Sequence, residues 1–379
     1  MFDRQALARE FRYSMGIWMT TKGQPTTVIP ERYRDLGLPS EKGGFGVGKV
    51  LLDTWLERRV FLKTIPDGAA RAQLTREVKS IVGVRSKHVV AIYELLRDKA
   101  GTVHGIIYEY LSGAELQYGS FARPAPLAGF LTTIYQLACG IADIHAAGIV
   151  HRDIKLGNVK RDAEGIVKIF DFGISSTIGD VTHASRGTRI FLAPELFTPP
   201  AKISPALDVY AFGVCCWALL TDKPPAPLFE LPPQSKTPMP NVNSVRPDLP
   251  PRIADTIDLC LAKDLGVRPT STKVREILAN ELTRDKHRAV FRGLEQPVEL
   301  NASNRVVRLG SGSLGRLRIE YDGLNIKISA VEGAIYVNNV RATVGQPLED
   351  SCVIAFGAPE HGAARKFVEI NMSSPEVVL

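Results

Sequence analysis

The run His151-Arg152-Asp153-Ile154-Lys155-Leu156-Gly157-Asn158, followed by Asp171-Phe172-Gly173, constrains this chain more than any other part of its sequence. Aspartate before or within such loops is ordinarily a turn or cap residue. Two turns, however, do not account for Lys155 and Asn158 beside them. Taken together, Asp153 can accept a hydroxyl proton, Lys155 can steady a transferred phosphoryl group, and Asn158 and Asp171 can hold a metal ion. Phosphoryl transfer asks a protein for that set, and for a cover over the phosphates. A fold for this sequence has to bring residues 153–158 and 171 to one place.

The pattern on either side of the run differs. Before it, residues 49–52, 59–64, 91–95 and 103–108 read as short strands around a glycine-rich turn. Residues 69–84 place Leu74, Val78, Ile81 and Val82 at helical spacing. After residue 112 the signal is mainly helical, clearest over 130–147 and 207–220, and it resumes over 253–283 beyond a proline-rich loop at 224–251. From residue 286 onward, 306–309, 317–321, 324–328, 334–337 and 352–356 read as strands separated by Gly, Asn and Asp turns, a compact all-β module.

Composition narrows the function classes. With 45% hydrophobic and 23% charged residues the chain is of globular type. The net charge of +7 is dispersed without a Lys/Arg block, so no dedicated nucleic-acid binding is expected. Cys139, Cys215, Cys216, Cys260 and Cys352 lack metal-ligand spacing and are expected as buried reduced thiols. The first twelve residues lack the apolar core of a signal peptide, and the apolar stretch 209–220 is too short to span a bilayer. A cytoplasmic location without membrane attachment is the expectation.

Over residues 32–282 the chain resembles the eukaryotic-like Ser/Thr protein kinase family. The resemblance rests on the glycine-rich loop, Lys63, Glu77, the run 151–158, Asp171-Phe172-Gly173, Ala193-Pro194-Glu195, Asp208 and Arg268, in the family's order and approximate spacing. It implies an α+β, bilobal kinase fold with a small β-rich N-lobe and a helical C-lobe, here followed by a small all-β sandwich. The expected boundaries are an N-terminal extension at 1–30, a kinase domain at 31–285 with its N-lobe ending near 111, a linker at 286–300 and the sandwich at 301–372.

The resemblance also assigns roles. Asp153 would be the base, Lys155 its companion, Lys63 the ligand of the α- and β-phosphates, and Glu77 the ion-pair partner of Lys63. Gly43, Gly44 and Gly46 would cover the phosphates, the backbone of Glu109 to Leu111 would hold the adenine behind Tyr108, and Asn158 and Asp171 would bind Mg²⁺, with Mn²⁺ as an alternative. Glu195 and Arg268 would form a structural ion pair, and Asp208 would anchor the backbone of the catalytic loop. Lys155, with Thr188 near it, points to serine or threonine of a protein as acceptor of the γ-phosphate of ATP. Arg152 before Asp153 suggests control by a phosphorylated loop, with Thr182 first among the phosphosites and Ser185 and Thr177 behind it.

The sequence departs from the family at the nucleotide. Glu41 replaces the first glycine of the loop, and its carboxylate would repel phosphate. Gly48 stands where the family has valine, and Phe61 where it has a small residue. The Phe61 ring is expected to fill the volume vacated at Gly48. These departures sustain an alternative reading, a pseudokinase-type scaffold that binds nucleotide and signals through docking. A third reading is a small-molecule phosphotransferase of related fold, against which Ala193-Pro194-Glu195 and the 224–251 loop favour a protein substrate.

The segment Ile335-Tyr336-Val337-Asn338-Asn339-Val340-Arg341, followed by Leu348-Glu349-Asp350-Ser351-Cys352-Val353-Ile354-Ala355-Phe356-Gly357, resembles the second half of a forkhead-associated domain. Such a module implies docking of a phosphoprotein or other partner. Arg316 and Asn338 are the candidates for phosphothreonine contact, and no serine-histidine recognition loop accompanies them; solvated or turn-forming roles are the alternative.

Overall fold

The computed structural model describes residues 15–16, 29–39, 41–43, 46–64, 78, 81–98, 101, 103–172, 175–182, 188–373 and 375–377. Two compact units divide it, Met1–Arg275 and Glu276–Leu379.

The first unit begins with a six-stranded antiparallel sheet of β1 (Tyr33–Asp35), β2 (Glu41–Gly43), β3 (Gly46–Asp53), β4 (Arg58–Thr64), β5 (Ile92–Arg97) and β6 (Val103–Glu109). Its order is β1-β3-β4-β6-β5, with β2 paired to β3. Alternation along β4 sorts the side chains to two faces. Val60 and Leu62 are buried with Tyr33, Leu51, Leu96 and Ile107, whereas Phe61 and Lys63 point to the opposite face. The helix expected over 69–84 lies largely outside the described residues. Within it Val78, Ile81 and Val82 are helical, the first two buried and Val82 exposed.

Among the described residues four helices follow: α1 (Leu127–Ala146), α2 (Ala206–Leu220), α3 (Pro251–Cys260) and α4 (Ser271–Thr283). Helix α1 buries Phe130, Ile134, Leu137, Ile141 and Ile144 at three- and four-residue spacing. Among the described residues it alone has the length and hydropathy of a membrane span, and 67% of that stretch is buried inside the protein. Helix α2 is apolar all round and buried from Leu207 to Leu220, as a central core helix must be. The continuous helical signal over 253–283 is broken at 261–270, where Arg268 forms an ion pair with Glu195.

Short strand pairs position the loops between these helices. β7 (Ile149–Val150) pairs with β10 (Ser176–Thr177), β8 (Val159–Arg161) with β9 (Val167–Ile169), and β11 (Val181–Thr182) with β12 (Ala201–Lys202). Residues 151–158 connect β7 to β8, and residues 170–175 connect β9 to β10. Each loop therefore joins the same two ladders, and the Phe170 N–H donates to the Asn158 carbonyl at 3.0 Å.

The second unit has two antiparallel sheets. One comprises β13 (Arg288–Arg292), β14 (Val298–Leu300), β18 (Ile335–Val337), β19 (Val340–Arg341), β20 (Ser351–Phe356) and β21 (Lys366–Ser373) in the order β14-β13-β21-β20-β18-β19. The other is β15 (Val306–Gly310), β16 (Gly315–Tyr321) and β17 (Ile326–Gly333). A common apolar core contains Phe291, Leu309, Ile319, Ile328, Ile354 and Ile370 from both sheets, which makes the unit a sandwich.

This corrects the expected linker at 286–300. Residues 288–292 and 298–300 are strands of the larger sheet, and Ala289, Phe291 and Leu300 are fully buried in the core. All five cysteines are buried free thiols.

Asn338 and Asn339 form the two-residue turn between β18 and β19, with φ of 48° and 65°. Two successive positive φ values define the hairpin turn that asparagine tolerates best after glycine. The Asn338 carboxamide oxygen also accepts the Val353 backbone N–H at 2.9 Å, tying the turn to β20. Asn338→Ala is expected to lower the stability of this unit by about 1–2 kcal/mol, and Asn339→Gly to leave it unchanged or raise it, in chemical denaturation.

Arg268 is fully buried at its side chain. It binds Glu195 through two parallel bonds of 2.7 and 3.0 Å, and donates to the Ala262 and Ala206 carbonyls. Removing one partner of such a pair strands the other. Arg268→Ala should destabilise the first unit by about 3–5 kcal/mol, and Arg268→Lys should recover little of that, because an ammonium cannot reproduce the fork. Thermal unfolding of the variants checks both.

Candidate active site

The site is built around residues 151–158. Asp208, in the first turn of α2 and 1% exposed, accepts the backbone N–H of His151 at 2.7 Å and of Arg152 at 2.8 Å. His145, at the end of α1, lies 3.0 Å from the same carboxylate through Nε2 and 2.8 Å from Ser271 Oγ through Nδ1. Burial pushes the Asp208 carboxyl up, but the His145 contact, with the charges of His145 and His151 and the Arg152 N–H, brings it below the ordinary carboxylate value. Arg152 holds a left-handed backbone, φ 69°, which the two N–H bonds to Asp208 secure.

Beyond that anchor, the Asp153 carboxylate is held on both oxygens. Oδ2 accepts from Lys155 Nζ at 2.7 Å and from Asn158 Nδ2 at 2.9 Å, and Oδ1 from the Thr188 backbone N–H at 3.3 Å. Asn158 Nδ2 also donates to the Asp153 carbonyl at 2.9 Å. The amide is thereby oriented with its nitrogen toward Asp153, which leaves Oδ1 as the atom for a ligand.

Asp171 stands in the neighbouring loop with φ 65°, and its Oδ1 accepts from Lys63 Nζ at 3.0 Å. Burial raises the Asp171 carboxyl, and Lys63, by charge and hydrogen bond, with His151 and Lys155, brings it below its ordinary value. The following Phe172 is 1% exposed and meets the His151 ring edge-on at 4.6 Å. His151 Nε2 lies 3.1 Å from the Phe170 carbonyl, so the two loops are joined through one imidazole.

The strand sheet supplies the other wall. Glu109, at the end of β6, pairs with Lys168 at 2.8 Å and accepts the Ala91 N–H at 3.1 Å, while Tyr108 is buried. Leu111 follows, 8% exposed. Gly43 pairs with Gly46 at the closed end of the β2–β3 hairpin, and Glu41 pairs with Gly48. Gly44, Glu77, Gly173 and Ser185 lie outside the described residues.

Of the residues expected to act together, the structure brings Lys63 to Asp171 and gathers Lys155, Asn158 and Thr188 on Asp153. Arg152 donates to Ser176 Oγ at 2.8 Å and to Thr182 Oγ1 at 3.3 Å. Thr177 is exposed, and its N–H bonds Asp180. His145, Lys168 and Ser176 belong to the site and were not expected. Lys168 had a visible signal, a charge between Val167 and Ile169, both fully buried.

Arg316 and Asn338 stand apart from one another's chemistry. Arg316 is on β16, 78% exposed and 3.8 Å from Glu332, and Asn338 is committed to its turn.

The model of the protein kinase domain family matches residues 39–282. The chain is 28% identical over 270 residues to the "Probable serine/threonine-protein kinase pknA2" of Bifidobacterium longum, covering 66% of this chain and 35% of that protein. It is 29% identical over 264 residues to the "DNA damage-responsive serine/threonine-protein kinase RqkA" of Deinococcus radiodurans, covering 65% of this chain and 39% of that protein. Against receptor-interacting serine/threonine-protein kinase 3 of Rattus norvegicus the identity is 29% over 232 residues, 55% of this chain and 46% of that protein. The chain thus spans well under two thirds of the length of these curated relatives. With the match extending over more than half of its residues, the chain belongs to the protein kinase domain family.

Proposed function

We propose that this chain is a serine/threonine protein kinase that transfers the γ-phosphate of ATP to a protein hydroxyl. The observation that carries the reading is the Asp153 carboxylate, held by Lys155, Asn158 and the Thr188 N–H at the junction of the two loops. A carboxylate fixed in this way is placed to accept the proton of an incoming hydroxyl as the oxygen attacks phosphorus. Lys155 Nζ, already on Asp153, is placed to meet the negative charge of the phosphoryl group in transfer. Lys63, beside Asp171, would bind the α- and β-phosphates, and Gly43, Gly44 and Gly46 would let the backbone approach them closely.

The oriented amide oxygen of Asn158 and the carboxylate of Asp171, held below its ordinary pKa, form the hard oxygen donor set that suits Mg²⁺. The ion, when bound, supplies charge neutralisation on the phosphate oxygens. The backbone of Glu109 to Leu111 would hydrogen-bond the adenine. The arrangement of Asp153, Lys155, Asn158, Lys63 and Asp171 favours an enzyme over a scaffold.

Two further assignments belong to the same reading. Thr182 is proposed as the regulatory phosphosite, supported by its hydroxyl lying 3.3 Å from Arg152 Nη2, where a phosphate would gain charge-assisted bonds. The sandwich is proposed as a forkhead-associated-like docking module. The commitment of Asn338 to its turn and the exposure of Arg316 argue for docking that does not use these two residues on phosphothreonine.

Asp153→Asn should lower phosphate transfer to a generic protein acceptor by about 10²–10⁴-fold with nucleotide binding retained, since the amide cannot take the proton. Equal labelling by wild type and variant in radiolabelled ATP overturns the assignment. After incubation with ATP, mass spectrometry is expected to find phosphate on Thr182, and Thr182→Ala to reduce activity about tenfold, the worth of one charge-assisted bond. An active enzyme with no phosphate between residues 174 and 186 refutes the phosphosite.

A further inference from the structure

Three helix ends meet at one imidazole. His145 lies in the last turn of α1, Asp208 in the first turn of α2, and Ser271 is the first residue of α4. His145 Nε2 is 3.0 Å from Asp208 Oδ2, and His145 Nδ1 is 2.8 Å from Ser271 Oγ. The side chains of His145 and Asp208 are almost wholly enclosed, and Ser271 is buried with them.

The proton positions follow from the partners. Asp208 already accepts the N–H groups of His151 and Arg152, and a carboxylate has no proton to give His145, so Nε2 carries one. A neutral ring protonated at Nε2 has a bare lone pair at Nδ1, and the Ser271 hydroxyl donates to it. A ring protonated at both nitrogens donates from Nδ1 to the same oxygen. A hydroxyl does either, so Ser271 satisfies the imidazole in both states. Ser271 has no other polar task among the described residues. The start of α4 is capped by Thr270, whose Oγ1 accepts the Lys273 N–H at 3.2 Å and whose carbonyl accepts the Val274 N–H at 3.0 Å. Ser271 also lines a small void with Ala138, Ile141, Val209, Phe212 and Val274, none of whose side chains offers a hydrogen bond.

We propose that Ser271 is a positioning residue for phosphoryl transfer, whose hydroxyl holds the His145 imidazole with Nε2–H on Asp208 and thereby steadies the loop that carries Asp153. The inference rests on the reading of Asp153 as the base. The path is short. Oδ2 of Asp208, the atom that His145 touches, is the one that accepts the His151 N–H at 2.7 Å, and Oδ1 accepts the Arg152 N–H at 2.8 Å. Without the Ser271 hydroxyl one ring nitrogen is buried and unpaired, and the ring gains by turning toward another partner, which withdraws Nε2–H from Asp208. Arg152, at φ 69°, then has strain to release, and Asp153 moves with it. Lys63 and Asp171 are held on other elements, so the effect falls on kcat and not on the KM for ATP.

The test uses the full chain with dephosphorylated casein as acceptor, at a temperature where circular dichroism shows every variant folded. Ser271→Ala should lower kcat about tenfold, the worth of one hydrogen bond, with KM for ATP unchanged. Threonine and valine share a shape and differ by the hydroxyl. Ser271→Thr, with its added methyl beside the void, should keep kcat within about threefold of wild type, and Ser271→Val should fall as Ser271→Ala does. In a His145→Gln background, adding Ser271→Ala should change kcat by less than about twofold, because residues that act through one contact do not add. Val274→Ala, which widens the same void, should lower the melting temperature and leave kcat in place.

Wild-type kcat in Ser271→Ala overturns the proposal, as does equal kcat in the threonine and valine variants. A full further loss from Ser271→Ala on top of His145→Gln overturns it too, because Ser271 would then not act through the imidazole. Equal losses of kcat in Val274→Ala and Ser271→Ala make the effect one of packing alone and also overturn it. Should Ser271→Ala fail to fold, the threonine and valine pair still decides. Full activity of Asp153→Asn removes the base and this inference together, whereas an impaired Asp153→Asn beside a fully active Ser271→Ala removes the inference alone.

Discussion

The loop of residues 151–158 hangs from one buried carboxylate. Asp208 sits in the first turn of α2, where the helix N-terminus favours negative charge, and takes the N–H groups of two consecutive residues, His151 and Arg152. That grip holds Arg152 in a backbone conformation an arginine seldom adopts, at a cost of order 1 kcal/mol or more. Asp153 follows immediately, so its direction is set by the strained residue before it. The apolar girth of α2 has a role in this. A helix buried on all sides cannot rotate to release Asp208, and the loop inherits the rigidity of the core.

Arg152 links that anchor to a more exposed layer. Its guanidinium leaves the loop toward Ser176 and Thr182, on two short strands that pair with different partners, β7 and β12. The same residue thus has its backbone tied to the core and its side chain tied to two short ladders. A change of charge at Thr182 acts on a residue whose main chain cannot yield, and the response is confined to where the side chain points.

The strands of the first unit were legible because β4 alternates cleanly, with Val60 and Leu62 inside and Phe61 and Lys63 out. The gathering of Lys155 and Asn158 on Asp153, and the nearby loop of Asp171, were legible because these residues fall within one short span of sequence. What escaped notice depends on partners far along the chain. His145 reads as a polar end to an apolar helix until Asp208 and Ser271, 63 and 126 residues away, are beside it. Strand β13 escaped for a local reason: Arg288-Ala289-Val290-Phe291-Arg292 is short and ends in arginine on both sides. Only its pairing with the last strand, β21, shows that Ala289 and Phe291 face a core. The same holds for Asn338, whose role is visible only when Val353 of β20 lies against it.

The contact between Phe61 and Gly48 has a consequence for how this chain can change. While the ring stays, every residue but glycine is barred from position 48, and while glycine stays, loss of the ring leaves a hollow on the wall of the cleft. Neither position can be changed without regard to the other. Along the sequence they lie thirteen residues apart on two strands, and in space they are a single contact.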